Sequence, residues 1–282
     1  MSASDLIAPV APPTQRRARS PRRSLAPYVL LIPAVGILLL GMGYPLVWQV
    51  VTSLQEYGLA QQFGQPAEFV GLDNFVALVT DSQLWLVVAR SLAFCVITAS
   101  LTLAIGTALA LLMTAVNKAA RLILQIALLL AWSMPVVAAM TVWIWLFDRR
   151  RGVINYLLDM IPGVEMNRFD WLSTPLTFFI VACIIVTWMS VPFVAFSIYA
   201  GLTQVSSEVL EAAQMDGATP AQRLRLIILP IIKPVLGIVM LLQVIWDLRV
   251  FTQIKLLQDR GSIASQTDVL GTYIYQLGVG SS

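Results

Sequence analysis

An acidic and a basic residue, Asp247 and Arg249, lie within a long apolar run and could do chemistry there. A charge at the centre of a bilayer costs roughly 2.5–3.5 kcal/mol on insertion scales, so by default it faces a cavity or a partner. Gln243, Trp246 and Val250 share the helical face of Asp247. This stripe predicts either a structural contact with a neighbouring helix or a polar pathway.

Metal and redox chemistry have little support in the residue types. The chain contains no His, and its two cysteines, Cys95 and Cys183, both lie inside apolar runs. They predict buried small hydrophobic side chains, with no disulfide framework and no zinc site. No phosphate-binding loop is present either, so we expect no ATP hydrolysis and no cofactor in this chain.

A charged segment, residues 206–230, interrupts the apolar runs. Ser206 and Ser207 offer N-cap oxygens, and Glu208 follows at the positive end of a helix dipole. The next residues are good helix formers, and Gly217 can end the helix in a left-handed conformation. The pattern predicts a short helix over 208–216 and a glycine turn.

A second helix is expected immediately after that turn. Thr219 fits an N-cap, Pro220 fits the first helical position and Gln222 fits a capping-box partner. On these features alone, the charged segment could still be a solvated loop between two membrane helices.

The composition is that of a polytopic membrane protein. The chain of 282 residues is 58% hydrophobic and 12% charged, whereas soluble proteins carry about a quarter charged residues. The net charge of +3 reflects membrane topology and indicates no nucleic-acid partner. We expect a disordered basic cytosolic tail over 1–24 and one transmembrane domain over 25–282. Its predicted spans cover about 27–53, 84–114, 122–147, 172–202 and 234–256.

The distribution of charges predicts which loops are cytosolic. Five arginines before the first span place the N-terminus inside, and Lys118 and Arg121 mark a second cytosolic loop. The charged segment then falls on the same side. A basic run, Arg149 to Arg151, falls outside and strains the positive-inside rule. Five spans leave the C-terminus outside, so a sixth span is expected to be missing.

The spacing of Glu211-Ala212-Ala213, Gly217 and Leu229-Pro230 resembles the EAA loop of ABC importer permeases. Residues 69–75, the proline-broken third span and residues 269–275 add to a likeness with the permease subunits of carbohydrate importers. That group includes the maltose, trehalose and glycerol-3-phosphate systems. The sequence departs from the group at 258–262, where a glycine-rich loop is common, so the particular sugar stays open.

This resemblance implies an all-α, type I ABC importer transmembrane domain with a six-helix core, its last helix apparently incomplete. It implies a bacterial inner membrane location, a second homologous permease, an ATPase dimer carrying ATP and Mg²⁺, an extracytoplasmic sugar-binding protein and a carbohydrate substrate. The implied ATPase-coupling residues are Glu208, Glu211, Ala212, Ala213, Asp216 and Gly217. The candidate substrate-pathway residues are Trp188, Ser190, Phe193, Gln243, Trp246 and Asp247.

Two alternatives stay open. One is a permease for another solute, such as glycerol-3-phosphate or an amino acid. The other is a secondary transporter in which Asp247 and Arg249 form an ion relay.

Overall fold

Long apolar helices dominate residues 26–280, the part of the chain that the computed structural model describes. The predicted tail over 1–24 lies outside these residues. Four helical stretches are long and apolar enough to cross a membrane, and a bent helix pair brings the total to five if it counts as one span. The four are Tyr28–Ser53, Ser82–Ala115, Pro175–Leu202 and Pro220–Gln258.

The N-terminal unit of the described chain, residues 26–74, holds the first span. A single π-helical segment, Leu39–Gly43, interrupts the span without ending it, although Pro33 and Pro45 predict a kink or an early end. A two-residue antiparallel pair follows, which the all-α expectation does not include. The elements are α1 (Ala26–Leu38), α2 (Tyr44–Ser53), β1 (Gln55–Glu56), α3 (Leu59–Gln62), β2 (Glu68–Phe69) and the start of α4 (Asp73–Thr80).

The second unit, residues 75–280, contains the helix core and both candidate sites. Its membrane-crossing helices are connected by short helices at the two ends of the core. The elements are α5 (Ser82–Ala115), α6 (Lys118–Ser133), α7 (Val136–Leu146), α8 (Val153–Asp159), α9 (Pro175–Leu202), α10 (Ser207–Met215), α11 (Pro220–Arg223), α12 (Leu229–Leu248), α13 (Thr252–Gln258), α14 (Ala264–Thr267) and α15 (Leu270–Tyr275).

Helices α5 and α9 form the centre of this unit. The small residues Ala99, Gly106 and Ala110 are buried on α5, as their spacing predicts. A Cβ atom added at Gly106 would lie 2.6 Å from Val194 Cγ1 and 3.2 Å from the backbone nitrogen of Ala195. The absence of a side chain at Gly106 therefore lets the two helices approach closely.

We expect Gly106→Leu to destabilise the membrane domain because the added side chain must displace α9. Overpacking of this kind costs about 1–3 kcal/mol, and more where backbone must move. The measurement is the thermal unfolding midpoint and the monodisperse yield of the purified protein in detergent. Gly237→Leu is the matched control, since nothing lies within 4 Å of a Cβ there. Equal midpoints for the two variants would contradict this account of the α5–α9 contact.

The predicted third span, 122–147, is sharply bent. Helices α6 and α7 meet at 100° across Met134 and Pro135. Proline lacks an N–H donor and disfavours helical backbone in the residue before it, and Met134 accordingly has an extended ψ of 124°. The proline position was predicted, whereas the size of the bend was not.

The predicted fifth span also differs from the structure. Helix α12 begins at Leu229 and ends at Leu248, so Val250 does not continue the helical face of Asp247, and that expectation is wrong. Helix α12 ends where the segment around Gly271 approaches the residues after its last turn. A Cβ atom on Gly271 would lie only 2.8 Å from the carbonyl oxygen of Val250. A tertiary contact therefore occupies the space next to the break.

Opposite ends of the second unit carry different loops. At one end, Arg121 donates to the Met113 carbonyl at 2.6 Å and lies 5.9 Å over the Tyr199 ring, close to the charged segment. At the other end, Tyr273 donates to Asp81, and this hydrogen bond lowers the pKa of Asp81. The loops 147–174 and 249–276 share that second end, where Phe147, Trp171, Leu257 and Val269 pack in one apolar cluster.

Candidate functional site

The charged segment folds as two short helices at one end of the core. Helix α10 spans Ser207–Met215 with Glu208 in its first turn, close to the predicted 208–216. Ser206 occupies the N-cap position, but its side chain makes no capping hydrogen bond, so the predicted serine cap is not formed. No residue of α10 is buried, and Met215 is 89% exposed. Helix α10 therefore lacks the tertiary packing that normally stabilises a short helix. An isolated helix of this length is marginal in water.

Gly217 ends α10 as predicted. Its φ is +79°, and its N–H donates to the Gln214 carbonyl at 3.0 Å. The N–H of Ala218 donates to the Ala213 carbonyl at 2.9 Å. These two bonds form a Schellman motif, in which glycine takes the left-handed position at little cost.

Helix α11 follows at once and is joined to α10 by a side-chain bond. Thr219 and Gln222 form the predicted capping box, with bonds of 2.8 Å and 3.3 Å. Arg223 Nη1 donates to Gln214 Oε1 at 3.1 Å, which connects the two helices. Helix α11 continues through a π-helical segment, Leu224–Ile228, into α12. The exposed α10 is thus joined through α11 to a membrane-crossing helix.

Most of the six residues predicted for coupling are exposed. Glu208, Glu211, Ala212, Asp216 and Gly217 are exposed, and Ala213 is half-buried. Helix α10 carries Glu208, Glu211 and both alanines, and Asp216 and Gly217 follow at its C-terminal end. The arrangement offers a small-residue surface flanked by carboxylates.

The polar stripe of α12 is buried against α5. Gln243 is 1% and Asp247 is 3% exposed. Gln243 Nε2 donates to Asp247 Oδ1 at 2.8 Å, and Thr98 Oγ1 donates to Asp247 Oδ2 at 2.9 Å. Each carboxylate oxygen of Asp247 therefore has a neutral donor, which joins α12 to α5 inside the apolar core.

Further polar atoms in this region lack partners within the described residues. They are Gln243 Oε1, Thr102 Oγ1 and Thr187 Oγ1. Thr98 and Thr102 were not predicted as site residues. A threonine one turn from another in an apolar helix carries no signal of its own, since its role depends on the facing helix.

Three predicted pathway residues line one open cavity of about 390 Å³, together with Arg249 and Gln253. They are Ser190, Trp246 and Asp247. Trp246 is 42% exposed and packs against Phe193, with ring centroids 4.8 Å apart and the ring planes tilted by 57°. Polar groups of α9 and α12 therefore meet beside a partly exposed aromatic surface, which is chemistry suited to a polar organic ligand.

Trp188 and Gln243 are placed differently from the other candidates. Trp188 packs edge-on against Trp143 at 5.5 Å and lines a separate, mainly apolar cavity of about 400 Å³ beside Pro192. Gln243 is not among the residues that line the first cavity, and it supports Asp247 from one helical turn away. The structure thus groups Ser190, Phe193, Trp246 and Asp247, with Gln243 behind them and Trp188 apart.

An Asp247–Arg249 ion pair is not formed. The ion pairs found within residues 26–280 are Arg149–Asp170 and Lys255–Asp259. Arg249 is exposed beyond the end of α12, whereas Asp247 is bonded to neutral groups. This geometry does not favour the ion-relay alternative. As predicted, Cys95 and Cys183 are buried and free.

Comparison with known proteins places the chain in a family. Residues 102–266 match the family described as binding-protein-dependent transport system inner membrane component. The chain is 38% identical over 268 residues to the diacetylchitobiose uptake system permease protein DasB of Streptomyces coelicolor, covering 95% of this chain and 81% of that protein. It is 28% identical over 253 residues to the trehalose/maltose transport system permease protein MalF of Thermococcus litoralis, covering 89% and 83%.

A solved structure shares the fold. A chain in the crystal structure of a bacterial ABC transporter involved in the import of the acidic polysaccharide alginate matches with a TM-score of 0.76 and 25% identity. The match covers 92% of this chain and 86% of that one. The transmembrane fold is therefore that of a type I ABC importer. The chain belongs to the family of binding-protein-dependent transport system inner membrane components, and the predicted likeness to carbohydrate importer permeases is confirmed.

Proposed function

We propose that this chain is a permease subunit of an ATP-driven saccharide importer and forms half of its translocation pathway. The observation that carries the proposal is the unburied helix α10, joined through Gly217 and α11 to α12. A permease that lacks a nucleotide site needs such a contact to respond to a partner ATPase. The family match and the saccharide names of the relatives support the substrate class.

The partners follow from the same proposal. An ATPase dimer binds ATP and Mg²⁺ on the cytosolic side, a second homologous permease completes the pathway, and an extracytoplasmic binding protein delivers the saccharide. The N-terminus and the charged segment are then cytosolic. The loop 147–174 lies at the end of α9 opposite the charged segment, and the 28 residues of α9 span about 42 Å.

Coupling runs from α10 into the membrane helices. Ala212 and Ala213 let α10 lie close in a groove of the ATPase, and Glu211 meets a basic partner. When the ATPase subunits close on ATP, α10 and α11 move together because Arg223 joins them. Helix α12 moves with them, and α5 follows through the Thr98–Asp247 bond. The pathway then changes from inward-facing to outward-facing.

The saccharide is held by the cavity between α9 and α12. Ser190 supplies a hydroxyl group, and Trp246 with Phe193 supplies an aromatic surface. Asp247 and Gln243 keep the wall of this cavity in place through their own hydrogen bonds. This division of roles follows from the burial of Gln243 and Asp247 and the partial exposure of Trp246.

The experiment is uptake by proteoliposomes that contain this chain with its partner permease, ATPase and binding protein. We expect saturable uptake of a labelled saccharide that requires ATP, stops with vanadate and is insensitive to a proton ionophore. A panel of di- and oligosaccharides, glycerol-3-phosphate and amino acids defines the substrate class. Uptake driven by an ion gradient without ATP would overturn the proposal, and preference for a non-sugar solute would overturn its substrate class.

A further inference from the structure

Four arginines line one cavity of about 470 Å³ at the end of the core opposite the charged segment. They come from two separate stretches of the loop between α7 and α9. We call this site the arginine cavity. Its residues used below are Arg149, Arg150, Arg151, Tyr156, Asp159 and Arg168.

Hydrogen bonds hold the arginine cavity in shape. Arg149 Nε donates to the Arg168 carbonyl at 3.1 Å, which joins the two stretches of the loop. The buried Asn155 donates to the Phe169 carbonyl at 2.8 Å and accepts from Trp171 Nε1 at 2.6 Å. The basic groups are therefore mounted on a backbone that is already ordered.

Among the described residues, the nearby acidic side chains form a direct ion pair with one of these four guanidinium groups. Asp148 accepts backbone N–H bonds from Arg151 and Arg150 at 2.8 Å and 2.9 Å, and these bonds, with a smaller effect of the two guanidinium charges, lower the pKa of Asp148. Asp170 lies 3.9 Å from Arg149, with both side chains largely exposed, and such a pair contributes little. Within residues 26–280, no ion pair involves the side chains of Arg150, Arg151 or Arg168.

The position of the arginine cavity is unusual for a membrane protein. Basic residues beside spans concentrate on the cytosolic side. Helix α9 separates this loop from the charged segment, so the cavity is external when the charged segment is cytosolic. Arginines there do not serve as a topology signal, and a binding role accounts for them better.

We propose that the arginine cavity receives acidic side chains of the extracytoplasmic binding protein when that protein docks. The inference rests on the proposed function, which supplies this partner. Guanidinium groups bind carboxylates through paired hydrogen bonds, and complementary charge speeds association. The neighbouring Tyr156 is 68% and Met160 is 65% exposed, and both residue types are enriched at protein interfaces.

A lipid surface fits the arginine cavity less well. The site is concave and includes the carboxylate of Asp159, which a uniformly anionic headgroup layer would repel. The negative surface potential that attracts basic segments beside a membrane belongs to the cytoplasmic leaflet, on the opposite side from the arginine cavity. A protein surface of mixed charge can meet both the arginines and Asp159.

The test uses the complete importer in nanodiscs of zwitterionic lipid, titrated with its saccharide-loaded binding protein. We expect Arg150→Glu with Arg151→Glu to raise the concentration that half-maximally stimulates ATP hydrolysis by about 10-fold or more. The maximal rate should stay unchanged because the cavity is remote from α10. Arg260→Glu is the matched control, as an exposed arginine at the same end outside the cavity.

An unchanged half-maximal concentration, or an equal rise for Arg260→Glu, would overturn the proposal. An effect that appears only in nanodiscs containing anionic lipid would identify a headgroup site instead. If the glutamate variant does not assemble, Arg150→Gln with Arg151→Gln should still raise the concentration, by a smaller factor. A wild-type importer that the binding protein does not stimulate would refute the proposed function itself, which separates the two failures.

Discussion

Gly217→Pro should nearly abolish substrate-stimulated ATP hydrolysis by the assembled importer while leaving the membrane helices folded. Proline fixes φ near −65°, whereas Gly217 has φ +79°, and proline removes the N–H that bonds Gln214. The Schellman motif is lost, so α10 and α11 no longer hold their relative orientation. We expect a loss of stimulation of about 10-fold or more, since a misplaced docking helix uncouples the subunits.

The matched control is Gly64→Pro, between α3 and β2. Gly64 has φ +96° with nothing within 4 Å of its Cβ position, and its N–H donates to the Gln61 carbonyl at 3.2 Å, so the local strain and the lost bond are similar. We expect this variant to retain stimulated hydrolysis. Glu211→Ala should give a smaller loss than Gly217→Pro, because it removes one charge and keeps the backbone. Wild-type stimulation in both Glu211→Ala and Gly217→Pro would refute coupling through this segment.

Trp246→Ala should lower saccharide uptake at subsaturating concentration by roughly 10-fold, equivalent to about 1.4 kcal/mol of lost binding. Trp246 is partly exposed in the cavity beside Ser190 and packs against Phe193, so truncation removes an aromatic surface from the pathway. The measurement is initial uptake against saccharide concentration, with the yield of assembled importer measured in parallel. Trp246→Phe should retain most of the uptake.

Two further variants make this result specific. Trp145 is 52% exposed on α7, and Trp145→Ala should leave uptake unchanged. Asp247→Asn keeps one acceptor for Gln243, and its amide can donate to Thr98, so uptake should be largely retained. An ion relay would instead lose all transport in Asp247→Asn. Unchanged uptake and substrate range in Trp246→Ala would show that the saccharide site lies elsewhere.

The turn between α10 and α11 could be predicted because its causes are local. The capping box joins residues three positions apart, and the Schellman bonds join residues at most five positions apart. Gly217 is needed there for a backbone conformation that other residues adopt at a cost. The predicted serine cap was not formed, since a suitable residue type does not guarantee the hydrogen bond.

Long apolar runs and small-residue spacing also carried reliable information. The spans near 84–114 and 172–202 correspond to α5 and α9, because a helix must satisfy its own backbone within lipid. The buried positions of Gly106 and the two cysteines followed from the same apolar context. The apolar spans and their small buried residues depend on the lipid around a helix more than on which helices lie next to it.

Contacts between distant parts of the chain were decided by the tertiary structure. Thr98 and Asp247 are 149 positions apart, and no pattern near either residue predicts their bond. The same applies to the end of α12 beside Gly271, and to Arg168, which meets Arg149 across a loop. The sequence by itself determined the membrane class, the main spans and the two-helix turn. Tertiary packing alone decided which polar groups became buried supports, which aromatic groups remained exposed and where the arginines between α7 and α9 form a cavity.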